Sequence, residues 1–275
     1  MGEQKLIFLD IDGTLTPAGS NTPPESALKA IRAAQSKGHK VFLCTGRNLA
    51  MLSPVLAYGF DGVVGSAGGY VMAGDEVIYD HPMTEEQFHT ALDALHDSGV
   101  FCTIEGKDAT FGDENLGDFL KGTSGGNSEI ERWRKALAED LNIRPMQEYD
   151  GCPIYKIVFM CLEDWQLEKA RTLVEKDFSF VCQTVAAHGC LNGELINRAF
   201  DKGRGILKVC EHLGIPVEDT YGFGDSMNDL EMIETVGYSV CMENGAPQIK
   251  ERCDLVCPSV EEDGLAKAFE QLGLC

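Results

Sequence analysis

The chain has 275 residues, 44% of them apolar, enough for one large domain or two modest ones with buried cores, so disorder is not its default state. Its net charge of −21 is spread along the chain without an acidic tail, which argues against nucleic acid or an anionic membrane as partner, since both bind through clustered Lys and Arg. No run approaches the roughly 18–20 apolar residues of a membrane span, and the eleven cysteines, scattered through apolar stretches such as 41–44 and 159–162, read as reduced buried thiols, so a cytoplasmic protein is expected.

Residues 5–9 form a short apolar run that ends in Asp10-Ile11-Asp12-Gly13-Thr14, the pattern of a buried strand breaking into a loop. Asn21-Thr22 and Pro23-Pro24-Glu25 supply the cap and first turn of a helix. Ala27, Leu28 and Ile31 then fall at helical spacing, and Lys37-Gly38 ends it. A second buried strand at 41–44, a helix at about 48–58, a strand at 62–64 and a hairpin turning at Gly74-Asp75 follow. Alternating strands and helices predict a parallel sheet covered on both faces. From Thr84 the texture changes to a helix over 85–97, a hairpin around Gly106-Lys107, a Gly-rich loop over 112–127 and a helix over 128–141. A strand at 154–162, a helix at 163–176 and a β-rich stretch at 178–186 complete a second α/β unit. After Gly189 the first rhythm returns, with a helix at 203–213, a strand at 220–224, a helix from Met227 and strands at 239–242 and 254–257. The expected fold is α/β: a Rossmann-like parallel-sheet core, residues 1–83 and 190–275, with an inserted smaller α/β domain, residues 84–189.

Four motifs carry chemistry. In Asp10-Ile11-Asp12-Gly13-Thr14, residues i and i+2 of an extended chain point to one side, so two carboxylates can face one site. A plain surface turn accounts for such a motif when it stands alone. A calcium loop does not fit, because Thr14 and Leu15 stand where it needs an oxygen ligand and a glycine, and a strand rather than a helix precedes. Thr45-Gly46-Arg47 leaves the next apolar strand with a hydroxyl and backbone N–H groups able to hold an anion. Asp201-Lys202-Gly203 opens a helix. Gly224-Asp225-Ser226-Met227-Asn228-Asp229 places acids at i and i+4 around the start of another, where carboxylates also have an ordinary electrostatic reason to sit. Three of the four follow short apolar strands, and ligands of open α/β sheets bind at the carboxyl ends of strands.

In this combination and order the sequence resembles the haloacid dehalogenase-like (HAD) phosphatases, especially their Cof-like branch, which carries a large α/β cap between the second and third motifs. The resemblance covers essentially the whole chain. It implies a magnesium-dependent phosphatase acting on a small phosphorylated metabolite, a sugar phosphate or a phosphorylated cofactor, with the cap closing over the leaving group to set specificity. Asp10 would be the nucleophile that forms an aspartyl phosphate, and Asp12 the general acid and then base. Asp10, Asp225 and the backbone carbonyl of Asp12 would hold Mg2+, a hard cation suited to oxygen ligands. Thr45, the N–H of Gly46, Lys202 and Asn228 would cradle the phosphoryl group. Asp229 is expected nearby, as a ligand through water or as the partner of Lys202. Arg47 is expected either to bind substrate or to serve the structure. Ser66-Ala67-Gly68 stands where many relatives have Asn-Gly near the site, a departure that leaves substrate preference open.

Three other readings compete, one of them a non-catalytic binding or regulatory protein on the same fold, against which the joint retention of Asp10, Asp12, Lys202 and Asp225 argues. Gly122-Thr123-Ser124-Gly125-Gly126 matches the Gly-x-Ser-x-Gly of serine acyl hydrolases, with His188 as a conceivable base, but its approach over 115–121 is polar where a nucleophile elbow needs a buried strand. A phosphosugar mutase could return the phosphoryl group from the same aspartyl phosphate to a sugar.

Overall fold

In a computed structural model, which describes residues 4–122, 143–183 and 190–275, the apolar run Leu6–Leu9 is a strand with every side chain buried. Only a strand flanked by strands and covered on both faces needs four consecutive apolar residues. It lies between Lys40–Cys44 and Thr220–Gly224, parallel to both. The eight-stranded sheet runs Leu255–Cys257, Tyr238–Met242, Thr220–Gly224, Leu6–Leu9, Lys40–Cys44, Gly62–Gly65, Tyr70–Ala73, Glu76–Asp80. Its first six strands are parallel, and the last two form the antiparallel hairpin that turns at Gly74-Asp75. The chain steps outward from Leu6–Leu9 in one direction, and later in the other through Thr220–Gly224, so a topological switch point lies between these two strands. Crevices for ligands open at such points, beyond the carboxyl ends. Phe8 and Phe42, with ring centroids 5.3 Å apart, pack with Val64, Val71, Ile206 and Met232 beneath the sheet.

Two units emerge. The first holds the chain up to Arg47 with Leu52–Asp80 and Phe200–Cys275; the second holds Asn48–Met51 and His81–Ala199. The second has its own six-stranded sheet, in the order Phe178–Gln183, Leu191–Asn197, Ile154–Cys161, Phe101–Gly106, Thr110–Gly112, Ile143–Pro145. Its helices Glu85–His96 and Glu168–Val174 cover one face through Phe88, Leu95, Ile157, Phe159 and Leu195. Thr84 caps the first of these helices in a reciprocal box with Gln87. The architecture is therefore an α/β Rossmann-like core with an inserted α/β unit, as the alternation predicts.

Several elements differ from the sequence reading, among them the helices Pro247–Lys250 and Gly264–Gln271, which it does not contain. Leu191–Asn197, which a boundary at Gly189 leaves with the core, is hydrogen-bonded on both edges within the second sheet. Its Asn192, Gly193 and Glu194 hide a strand, yet a Cβ on Gly193 would lie 2.5 Å from the Val181 carbonyl, so close strand approach demands the glycine. The Gly-rich loop contains a helix, Leu116–Gly122. Ile143–Pro145 is a short edge strand, where proline is tolerated. The helix expected over 128–141 lies outside the described residues. All eleven cysteines are free thiols, and seven are buried. No described helix is long and apolar enough to cross a membrane.

Candidate active site

Leu9 pairs with both Phe223 and Leu43, so the three central strands end level and deliver Asp10, Thr45 and Asp225 to one edge of the sheet. Asp10 keeps the ladder for one more bond, its N–H donating to the Phe223 carbonyl at 2.9 Å, before the chain turns. The turn depends on Gly13, whose φ of +88° lies in the left-handed region. A Cβ there would also sit 2.4 Å from Asp225 Oδ2, so glycine alone lets this loop approach that carboxylate.

Lys202 is the first residue of the helix Lys202–Leu213, which Asp201 caps by accepting from the Arg204 N–H at 2.7 Å. The next residue, Gly203, presses against the neighbouring helix, where a Cβ would meet the Glu231 carbonyl at 2.5 Å. So placed, Lys202 is 2% exposed and its Nζ donates to Asp10 Oδ1 at 2.7 Å and Asp229 Oδ1 at 2.5 Å, with Asn228 Oδ1 at 3.4 Å. Asp229, fully buried, accepts the backbone N–H groups of Asp225 and Ser226 on its other oxygen, each at 3.0 Å. It therefore both holds Lys202 and shapes the loop that carries Asp225. Asp225 Oδ1 accepts from Thr14 Oγ1 at 3.1 Å.

Burial, and next the Asp229 carboxylate, push Asp10 up to about 7 against the pull of Lys202. Burial, Asp10 and Asp229 push Asp225 up to about 8. Burial opposes the charge of Lys202, but Asp10 and Asp229 outweigh it and hold the ammonium well above its ordinary value. Asp10, Asp225 and Asp229 each bring an oxygen within 4.8 Å of the others, against the single ammonium of Lys202. This excess of clustered negative charge, borne by hard oxygen donors alone, fits a small dication such as Mg2+.

Thr45 is 2% exposed, and its Oγ1 accepts the Arg47 N–H at 3.1 Å, closing the turn at the exit of Lys40–Cys44. Arg47 points to Asp12, with Nε–Oδ2 at 2.8 Å and Nη2–Oδ1 at 2.6 Å. Ser66 and Ala67 take left-handed backbone, φ 49° and 57°, and their N–H groups donate to the carbonyls of Arg47 and Thr45. Thus Asp10, Lys202, Asp225, Asn228 and Asp229 converge, Thr45 and Gly46 follow the adjacent strand end, and Arg47 pairs with Asp12. Ser124 and His188 lie outside the described residues.

Three contributors escape a reading by motif. Thr14 stands in the first motif without an evident task. Asn21 accepts from Arg47 Nη1 at 2.6 Å. Asn244 donates to the Gly13 carbonyl at 2.8 Å and accepts the Val260 N–H at 3.3 Å. Asn244-Gly245 comes shortly after the apolar strand Tyr238–Met242, as three of the four motifs follow theirs, and the adjoining Ala246 N–H donates to the Asp225 carbonyl at 2.7 Å.

A family model described as haloacid dehalogenase-like hydrolase matches residues 7–269. The YkrA protein of Bacillus subtilis is 32% identical over 273 residues, 99% of each chain. The 5-amino-6-(5-phospho-D-ribitylamino)uracil phosphatase YwtE of the same organism is 27% identical, with 98% of each chain covered. A crystal structure of a protein from Geobacillus kaustophilus HTA426 superimposes with a TM-score of 0.81 at 26% identity, covering 99% of this chain and 100% of that one.

Proposed function

The chain belongs to the haloacid dehalogenase-like hydrolases and is a phosphoric monoester hydrolase, and from that premise we propose that it cleaves a small phosphorylated metabolite through an aspartyl phosphate on Asp10. The observation that carries this reading is the meeting of Asp10 with Lys202, Asp225 and Asp229 beyond the central strand ends. Asp10 attacks phosphorus, the bond to the leaving oxygen breaks, and Asp12 gives that oxygen its proton. Asp12 then takes a proton from the water that opens the acyl phosphate, which frees Asp10 and inorganic phosphate.

Lys202, Thr45 Oγ1, the Gly46 N–H and Asn228 are assigned to the three peripheral oxygens, whose charge they stabilise as the phosphoryl group transfers. Asp10, Asp225 and the Asp12 carbonyl would hold Mg2+, which when bound relieves the repulsion between a carboxylate and a phosphate dianion. Asp229 is assigned to Lys202 and to the Asp225 loop rather than to phosphate, on the bonds it makes.

The inserted unit is proposed as the cap that selects the leaving group, and its place between the second and third motifs supports the Cof-like branch. YwtE, whose name gives a uracil bearing a phosphorylated ribitylamino group as substrate, supports a polyol phosphate or a phosphorylated cofactor-like metabolite for this chain. The eleven free thiols support a reducing, cytoplasmic setting. The test is phosphate release from p-nitrophenyl phosphate and a panel of sugar, polyol and cofactor phosphates, with and without Mg2+, for wild type and Asp10→Asn. Magnesium-dependent turnover lost in Asp10→Asn is expected. Folded wild type that releases no phosphate would overturn the reading, and transfer of the phosphoryl group to a sugar acceptor would turn it toward a mutase.

A further inference from the structure

Arg47 is a buried cation of the first unit that the proposed chemistry leaves without a task. Its side chain is 7% exposed, against 23% for Asp12, so the pair is formed largely out of water. Nε and Nη2 take both oxygens of Asp12, at 2.8 and 2.6 Å, in a bidentate fork. Nη1 donates to Asn21 Oδ1 at 2.6 Å, and Nη2 also reaches the Ser20 carbonyl at 3.5 Å. Asp12 Oδ1 accepts a further bond from the Gly19 N–H at 3.2 Å. Every guanidinium nitrogen thus has a partner, and each partner lies in the loop that runs from Asp12 to Asn21.

We propose that Arg47, itself aimed by Asn21, is the positioning residue that fixes the Asp12 carboxyl for proton transfer, and is not a contact for the phosphoryl group. This rests on the reading of Asp12 as the proton carrier. Asp12 lies in the turn beyond the strand Leu6–Leu9, bridged to Thr16 and followed by the left-handed Gly13, and its carboxyl is held by the bonds it accepts from Arg47 and Gly19. A fork that binds both oxygens fixes the orientation of the carboxyl, and a planar guanidinium does so where an ammonium would not. Proton transfer needs the carrier within hydrogen-bond reach of the leaving oxygen, and a loosened carboxyl loses rate without losing substrate. A phosphate clamp would instead keep part of its fork clear of protein acceptors, and Asn21 would be superfluous to it.

The experiment uses the full chain with Mg2+ and two probes, p-nitrophenyl phosphate, whose phenolate departs without needing a proton, and glycerol 3-phosphate, whose alkoxide needs one. Asn21→Ala and Arg47→Lys are compared alone and in an Asp12→Asn background. The expected result is a fall in kcat of about tenfold or more on glycerol 3-phosphate with KM within about twofold, and on p-nitrophenyl phosphate a smaller fall in the single-turnover release of p-nitrophenol, the step in which the phenolate needs no proton. In Asp12→Asn neither substitution should lower the residual turnover of p-nitrophenyl phosphate further. A raised KM with kcat preserved, or a further loss in Asp12→Asn, makes Arg47 a substrate contact and overturns the proposal. So does an equal fall on both probes that follows a lowered Tm, which marks a purely structural staple. Unchanged turnover in Asp12→Asn itself overturns it together with the assignment of Asp12, and inactive wild type takes the phosphatase reading down as well.

Discussion

Replacing Lys202 with methionine keeps a stem of similar length and removes only the ammonium that stands between Asp10 and Asp229. Both ion pairs, at 2.7 and 2.5 Å, are lost, and two buried carboxylates are left facing each other beside Asp225. Breaking a buried pair by removing one partner costs about 3–5 kcal/mol. For a chain of this size, at about 2–4 °C per kcal/mol, Tm should fall by roughly 6–20 °C. The loss should depend on pH in a defined sense. Burial and the Asp229 carboxylate already push Asp10 up to about 7 with Lys202 present, so without the ammonium the carboxyl keeps its proton to still higher pH. Near pH 5.5 protonation removes most of the repulsion, whereas near pH 8 the charge must be borne or the proton kept at a cost. Thermal unfolding in EDTA at these two pH values should therefore show a markedly larger drop at the higher one. Magnesium should restore part of the stability, while kcat stays about 10²- to 10³-fold down because a transition-state donor is missing. A drop at pH 8 of less than about 2 °C, or one of equal size at both pH values, would refute the electrostatic account and leave only a packing change.

Three further outcomes are expected. The metal-free wild type should lose stability as pH rises from about 5 to 8, because Asp10, up to about 7, and Asp225, up to about 8, retain protons in the folded state that the unfolded chain has released, and added Mg2+ should raise Tm more at pH 8 than at pH 5.5; scanning fluorimetry showing stability rising over that window would contradict this. In the second unit Lys156 Nζ lies 2.7 Å from Glu194 Oε1 and 3.2 Å from Glu105 Oε2, so Lys156→Met should cost about 3–5 kcal/mol in urea unfolding, and a cost under about 1 kcal/mol would show the carboxylates reach water. Ala67→Gly should gain about 1 kcal/mol, since alanine there bears a φ of 57°, and a lowered Tm would mean that the methyl packs more than the backbone strains.

Most of the core was legible because its signals are local. A short apolar run that breaks at Asp is both a buried strand and the address of the acid that follows it, as in the four-residue Leu6–Leu9; the five-residue Thr220–Gly224 ends the same way at Asp225, although glycines interrupt it. The inserted unit is less legible. Leu191–Asn197 carries Asn, Gly and Glu because a neighbouring strand and a charged face dictate those residues, and none of them advertises a strand by itself. The site divides in the same way. Lys202 could be placed at a helix start from its neighbours, whereas the Arg47–Asp12 fork and its Asn21 prop join residues from separate loops.

The sequence by itself determined which strands are buried, where they break and which carboxylates stand at the breaks, because hydrophobic burial and turn chemistry act over a few consecutive residues. Only the tertiary structure decided that Lys202 lies between Asp10 and Asp229, that Asn244 braces Gly13 and that Arg47 turns to Asp12. These contacts depend on strand order and register, which bring distant segments within hydrogen-bond reach, and no local pattern encodes a distance of 3 Å between residues roughly 200 positions apart.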